Sequence, residues 1–178
     1  MPELTFSLKP FPAAHLPRVT LTGRLARLRH SLALRFVLIG HLADLALPHP
    51  AASPARRHGL WQETCFEIFL ATRDDPGYWE VNLSPAGHWN VFRFAGYRQG
   101  MEEEPAISAL PYQRLRRPQS LILTVEMALP GSLGPDRDLE AGISAVLKNM
   151  GGEITYWALT HPGSQPDFHR RDSFLLKL

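Results

Sequence analysis

The densest set of side chains able to do chemistry lies on two neighbouring strand-like segments. Tyr78 to Ser84 and His88 to Phe94 flank Ser84-Pro85-Ala86-Gly87, a tight-turn sequence. An even-numbered turn would set Asn82 opposite Trp89, Glu80 opposite Val91 and Tyr78 opposite Arg93. One face would then carry Tyr78, Glu80, Asn82, Trp89 and Arg93. The other would carry Trp79, Val81, Leu83, Asn90 and Phe92, with His88 at the turn end, and reads mostly as core. An aromatic plate bordered by Glu, Asn and Arg is suited to sugars: ring C–H faces pack on Trp or Tyr, and hydroxyls take planar bidentate partners. The same residues also describe a solvent-facing strand pair with cross-strand Glu/Arg pairing.

Other candidates lie outside the hairpin. Glu67 and Glu80 on adjacent strands have the residue types of an acid/base pair, as in glycoside hydrolysis, although any two glutamates on a sheet fit that description. Trp61, between a long loop and a strand, is either a plug over the core or one jaw of a ligand clamp, and Trp157 alternates within a strand as a core residue would. His161, Asp167 and His169 lie within nine residues and offer metal-ligand types. Their spacing matches no standard motif, and such loop residues commonly cap their own backbone. No serine nucleophile elbow, phosphate loop or dinucleotide fingerprint is present.

The elements that must position these residues are short. In 178 residues, 16 prolines and 13 glycines exclude a long helical bundle and favour strands joined by turns. A hydrophobic fraction of 44% with 20% charged residues reads as one globular domain. Residues 1–17 are a Pro-rich, extended lead-in to a domain over 18–178. Alternation over residues 32–39 predicts a strand, while Leu25, Leu28 and Leu32 offer a helical alternative against Thr20, Thr22 and Gly23. Residues 48–59 form a long Pro-rich loop of the kind that often serves as a lid. Further strands are predicted at 65–71, 121–129, 142–147, 154–160 and 173–178, with loops at 95–119, 130–138 and 161–172. About eight to ten short strands with short connections predict an all-β, antiparallel, jelly-roll-like β-sandwich.

A net charge of +2 with scattered arginine pairs is no nucleic-acid footprint, and no apolar run is long enough to span a bilayer. The single cysteine, Cys65, excludes an intrachain disulfide and a cysteine-based zinc site. With no signal-peptide pattern at the N-terminus, the expected compartment is the cytoplasm.

The run from Leu60 to Leu70, with Glu67 amid apolar residues, resembles a strand of DOMON-like domains and family-nine carbohydrate-binding modules. The hairpin from Tyr78 to Gly87 is similar to the strand and turn that follow it there. Tyr156-Trp157-Ala158-Leu159 with Pro166-Asp167-Phe168-His169 resembles a bacterial DOMON-like subgroup of unknown function. The resemblance covers residues 18–178 and implies a β-sandwich with a ligand pocket at one end or on a concave face. Sugar-binding relatives clamp a terminal sugar between aromatic rings, which maps onto Trp61, Trp89 or Trp157. Haem-binding relatives use an axial Met with a His or Lys, which maps onto Met101 with His161 or His169. Most relatives work outside the cytoplasm, whereas no secretion signal is expected from the N-terminal residues of this chain.

The expected function is a non-catalytic module for a small-molecule ligand, a sugar, with neither nucleic acid nor membrane as partner and no cofactor. The alternatives are a haem-binding electron-transfer module, a sugar-acting enzyme and a protein-interaction domain. The candidate ligand-binding residues are Trp61, Glu67, Tyr78, Glu80, Asn82, Trp89, Arg93, Trp157, His161, Asp167 and His169.

Overall fold

The computed structural model describes residues 3–178. Its strands, in chain order, are β1 (Leu4–Ser7), β2 (Lys9–Pro10), β3 (Val19–Arg27), β4 (Ser31–Gly40), β5 (Cys65–Thr72), β6 (Tyr78–Leu83), β7 (Trp89–Phe94), β8 (Glu102–Glu103), β9 (Tyr112–Arg117), β10 (Ser120–Ala128), β11 (Leu139–Lys148), β12 (Ile154–Ala158) and β13 (Leu176–Lys177). Three of the thirteen have only two residues. Helical structure among the described residues is confined to four three-residue 3-10 turns.

All pairings are antiparallel and build two sheets. One runs β1-β3-β4-β10-β9; the other runs β2-β12-β11-β5-β6-β7-β8, with β13 on the far end of β11. The antiparallel β-sandwich expected from the sequence is the fold observed. The extended lead-in takes part in it: β1 pairs with β3 and β2 with β12, so one short segment touches both sheets. Residues 1 and 2 of that lead-in lie outside the described residues.

Period-two alternation decides which side chains meet between the sheets. From the five-stranded sheet come Leu21, Leu25, Leu34, Phe36, Leu123 and Val125; from the larger sheet come Phe66, Ile68, Val81, Leu83, Ile143 and Trp157. The alternation of β3 places Leu21, Gly23, Leu25 and Arg27 inward. A strand from Val19 to Arg27 therefore replaces the helical alternative, in line with Thr20, Thr22 and Gly23. Residues 95–119, expected to be mostly loop, contain the two-residue β8 and, at the edge of the other sheet, β9. Its sequence, Tyr-Gln-Arg-Leu-Arg-Arg, hides it from hydrophobic pattern, because an exposed edge strand is protected by charge.

The central hairpin corrects the expected register. Leu83 pairs with Trp89, Asn82 with Asn90, Glu80 with Phe92 and Tyr78 with Phe94. The turn is odd: Ser84 N–H donates to His88 O at 2.8 Å, and Gly87 takes φ +100°. That added left-handed residue is the ordinary bulge of a three-residue hairpin loop. It moves Trp89, Val91 and Arg93 to the face of Trp79 and Val81, and brings Asn90, Phe92 and Phe94 beside Tyr78, Glu80 and Asn82.

Gly23 sits at a close approach of β3 to Phe6 and β4. A Cβ there would meet the Phe6 ring and the Arg35 carbonyl at impossible distances. Gly23→Ala should therefore expel Phe6 from its place against Phe36 and lower stability by about 1–3 kcal/mol, a cost of overpacking. Thermal unfolding of the variant should show a midpoint several degrees lower; an unchanged midpoint would mean that the Phe6 seat is not tight.

Candidate functional site

Every residue of β5 and β6 is buried, so the eight-stranded sheet is covered on its outer face as well. Phe69, Ala71, Tyr78, Phe92, Phe94 and Phe174 form a second apolar cluster there, with Trp61 and Phe168 packed against it. Three loops supply the cover. The first, 48–59, is tied to the start of β7: Trp89 N–H donates to Ala55 O and Arg57 N–H to Trp89 O. The chain then turns through Gly59, in the left-handed region at φ +71°, and delivers Trp61 edge-on to Phe92 with ring centroids 5.9 Å apart. The segments around 95–101 and 161–174 complete the cover.

A cavity of about 450 Å³ remains where these loops do not meet. Trp61, Phe94, Tyr156 and Phe168 wall it; Glu67, Glu80 and Val146 form its floor; Arg98, Met101, Pro166 and His169 complete the lining. Glu67 and Glu80 are only 3% and 4% exposed. Glu67 faces Asn82 in the ladder and Phe69 faces Glu80, so the two carboxyls are diagonal neighbours on one face. Ser144 Oγ–H donates to Glu67 Oε2 at 3.2 Å, and Asn82 Nδ2–H donates to Glu80 Oε1 at 2.8 Å.

Burial dominates the electrostatics. Desolvation, and then the neighbouring Glu80 charge, push the Glu67 carboxyl well above the usual range. Burial likewise raises Glu80 to about 7 against the opposing hydrogen bond from Asn82. Burial lowers His169 to about 4, so its ring is neutral near pH 7. Burial raises Tyr78 to about 12, so its hydroxyl keeps its proton. Arg98 N–H donates to Tyr78 Oη at 3.1 Å, which leaves the Tyr78 O–H to donate to His169 Nδ1 at 2.7 Å. This assigns the imidazole proton to Nε2, which lies 3.9 Å from Glu80 Oε2.

Arg98 is held at the rim with φ +53°, the only non-glycine with positive φ among the described residues. Its guanidinium pairs with Asp167 Oδ1 at 2.9 Å; Asp167 also accepts from Tyr97 Oη–H and, at 3.1 Å, from His169 N–H. These bonds lock the 95–101 and 161–174 loops together beside the pocket.

Trp61, Glu67, Glu80 and His169 thus converge on one cavity. Tyr78 and Asn82 stand directly behind it, orienting His169 and Glu80, and Asp167 sits at its rim. Four candidates lie elsewhere. Trp89 is in the core between the sheets, with the Arg56 guanidinium 4.7 Å from its ring centroid, because the odd turn reversed its face. Arg93 pairs with Glu102 at the sheet edge. Trp157 packs in the same core as Trp89, and its indole N–H donates to Thr155 Oγ1 at 3.0 Å. His161 bonds Lys9 O through Nε2 at 2.9 Å and packs against Phe168 from outside. Arg98, Phe94, Tyr156 and Phe168 were not anticipated. Tyr156 and Phe94 follow from strand parity once the register is right; Arg98 and Phe168 arrive on loops, whose paths no periodicity reports.

The residues present do not fit haem. A haem site needs an apolar slot and free axial ligands. Met101 and His169 line the cavity, but its floor is a buried carboxyl pair rather than an apolar slot, and His161 is tied to Lys9 outside it. Among the described residues no three His, Cys, Asp or Glu side chains converge as a metal set.

No family model matches the chain, and no curated protein matches it. Solved structures do. A proposed carbohydrate-binding protein from Bacteroides uniformis superposes with a TM-score of 0.66 at 12% identity, over 95% of this chain and 84% of that one. A family 9 carbohydrate-binding module from Caldicellulosiruptor kristjanssonii, solved with cellotriose and with glucose, gives 0.50 at 11% identity. That match covers 85% of this chain and 70% or 72% of the module. The chain shares the β-sandwich fold of these structures.

The buried acid has a pH signature. Glu80 holds its proton more tightly folded, at about 7, than unfolded, near 4.5, so ionising it costs stability as pH rises between those values. His169 acts oppositely between about 4 and 6.5 and flattens the overall profile. The difference between Glu80→Gln and the parent reads the Glu80 proton together with its charge coupling to Glu67. The variant should gain relative stability from pH 4.5 to 7, by at most about 3 kcal/mol. Chemical denaturation across that range measures it, and a pH-independent difference would mean that Glu80 titrates normally.

Proposed function

We propose that the protein is a non-catalytic carbohydrate-binding module and that this cavity holds the sugar. The observation that carries the reading is the pairing of aromatic walls with a polar floor on the outer face of one sheet. Trp61, Phe94, Tyr156 and Phe168 offer flat apolar surfaces to the C–H faces of a ring. Glu67, Glu80 and the His169 Nε2–H offer acceptors and a donor to its hydroxyls. A volume of about 450 Å³ suits a ligand of about one or two rings rather than a long chain. The sugar-bound modules that share the fold support the same ligand class.

Acid/base catalysis on the bound sugar is a second reading, favoured by one observation: a carboxyl raised to about 7 beside a second buried carboxyl is how acid/base sites are tuned. It requires turnover of a glycoside by the parent, lost in Glu80→Gln while binding persists. Absence of turnover across a glycoside panel removes it.

The binding reading is tested by intrinsic tryptophan fluorescence during sugar titration. Trp61→Ala should weaken binding by about tenfold or more while the fold survives, because Trp61 lies in the cover rather than between the sheets. Trp89→Ala should instead cost about 3–5 kcal/mol of stability, as a core truncation does. A Trp61→Ala protein that binds sugar as well as the parent would remove the cavity from the site.

A further inference from the structure

The floor of the cavity holds acidic groups that the protein leaves incompletely answered. Each carboxyl has one oxygen engaged, by Ser144 or Asn82. The second oxygen of Glu67 accepts no hydrogen bond among the described residues. That of Glu80 has His169 Nε2 at 3.9 Å, too far for one. The only guanidinium in the lining, that of Arg98, is already paired with Asp167. His169, held by Tyr78 and buried, contributes no charge near pH 7. Two nearly buried carboxyls therefore look into a cavity with aromatic walls and no free cation.

A neutral ring filling this cavity would displace water from the acids and return only hydroxyl hydrogen bonds. Burial by itself holds both acids toward the protonated form; a protonated amine supplies positive charge and three donors on one atom, draws the acids into their ionised form with release of their protons to solvent, and makes charge-assisted bonds, the stronger kind. Electron-rich ring faces also attract cations. We infer that the pocket selects an amino sugar, seating its ammonium group between the free oxygens of Glu67 and Glu80 while the ring packs on Trp61. This rests on the sugar-binding reading and narrows its ligand.

The test compares matched pairs: glucosamine with glucose, galactosamine with galactose, mannosamine with mannose, and N-acetylglucosamine as the ring whose amine is made neutral. Calorimetric titration of the parent protein at pH 7 should show at least one amino sugar binding tenfold or more tightly than its neutral partner. Acetylation should remove the advantage. Glu67→Gln, checked for folding by circular dichroism, should bring the amino and neutral sugars to within about twofold. Should Glu67→Gln fail to fold, the parent comparison alone decides. Neutral sugars that bind as tightly as their amino partners overturn the inference and leave the sugar reading standing. No saturable binding by any member of the panel overturns both.

Discussion

A sheet buried on both faces needs two covers, and the second cover determines the character of this molecule. The five-stranded sheet shields one face of β5 and β6. The other face carries Phe69, Tyr78, Phe92 and Phe94, too much apolar surface to leave in water. No third sheet is available, so irregular segments do the work, pinned by Trp89 backbone bonds on one side and by Arg98 and Asp167 on the other. Loops cover less completely than a sheet does. The gap they leave is the pocket, and whatever the strands place beneath it is desolvated without being fully partnered.

That origin explains why the acids sit where they do energetically. Glu67 and Glu80 occupy positions that strand parity reserves for a covered face. Had the cover closed, two adjacent buried carboxyls would be a severe cost with no compensating contact. With the gap above them, each keeps one hydrogen bond from the sheet and turns its other oxygen to the opening. The Tyr78–His169 bond extends the same logic: a neutral imidazole with its proton on Nε2 adds a donor to the wall without adding charge. Small shifts of the two linked loops would change the distance between that donor and Glu80, so the Arg98–Asp167 pair sets the polarity of the pocket as well as its shape.

The sandwich was legible because alternation and turn chemistry are local. β5 proves buried on both faces, which fits its run of apolar residues around Glu67. Part of the candidate site was legible for the same reason, since Tyr78, Glu80 and Asn82 share a face whatever their cross-strand partners, while Glu67 joins them only through the β5–β6 register. The β7 part was not, because it hung on one residue in the Ser84–His88 turn. A left-handed Gly87 makes the loop odd, and a one-residue change in register reverses the far strand. Trp89 and Arg93 left the candidate face for that reason, and Phe94 entered it. Trp61, Arg98 and Phe168 depend on loop paths set by long-range contacts, which no local pattern encodes.

At 11–12% identity, neighbouring structures carry the architecture and not the chemistry of the site. Discrimination among ligands has to come from the residues of this chain, and the unequal costs of burial indicate how it would arise. An aromatic wall accepts most rings at similar gain, so in the proposed site Trp61 and Phe168 would supply affinity with little selectivity. A nearly buried carboxyl is different: a ligand that covers it without satisfying it forfeits more than a missing contact, because the acid loses its remaining water. Selectivity in such a pocket therefore resides in the floor, on two side chains of adjacent strands. On the sugar-binding reading, changes at Ser144 or Asn82, the groups that hold those acids, would tune it without touching the aromatic surfaces proposed to hold the ring.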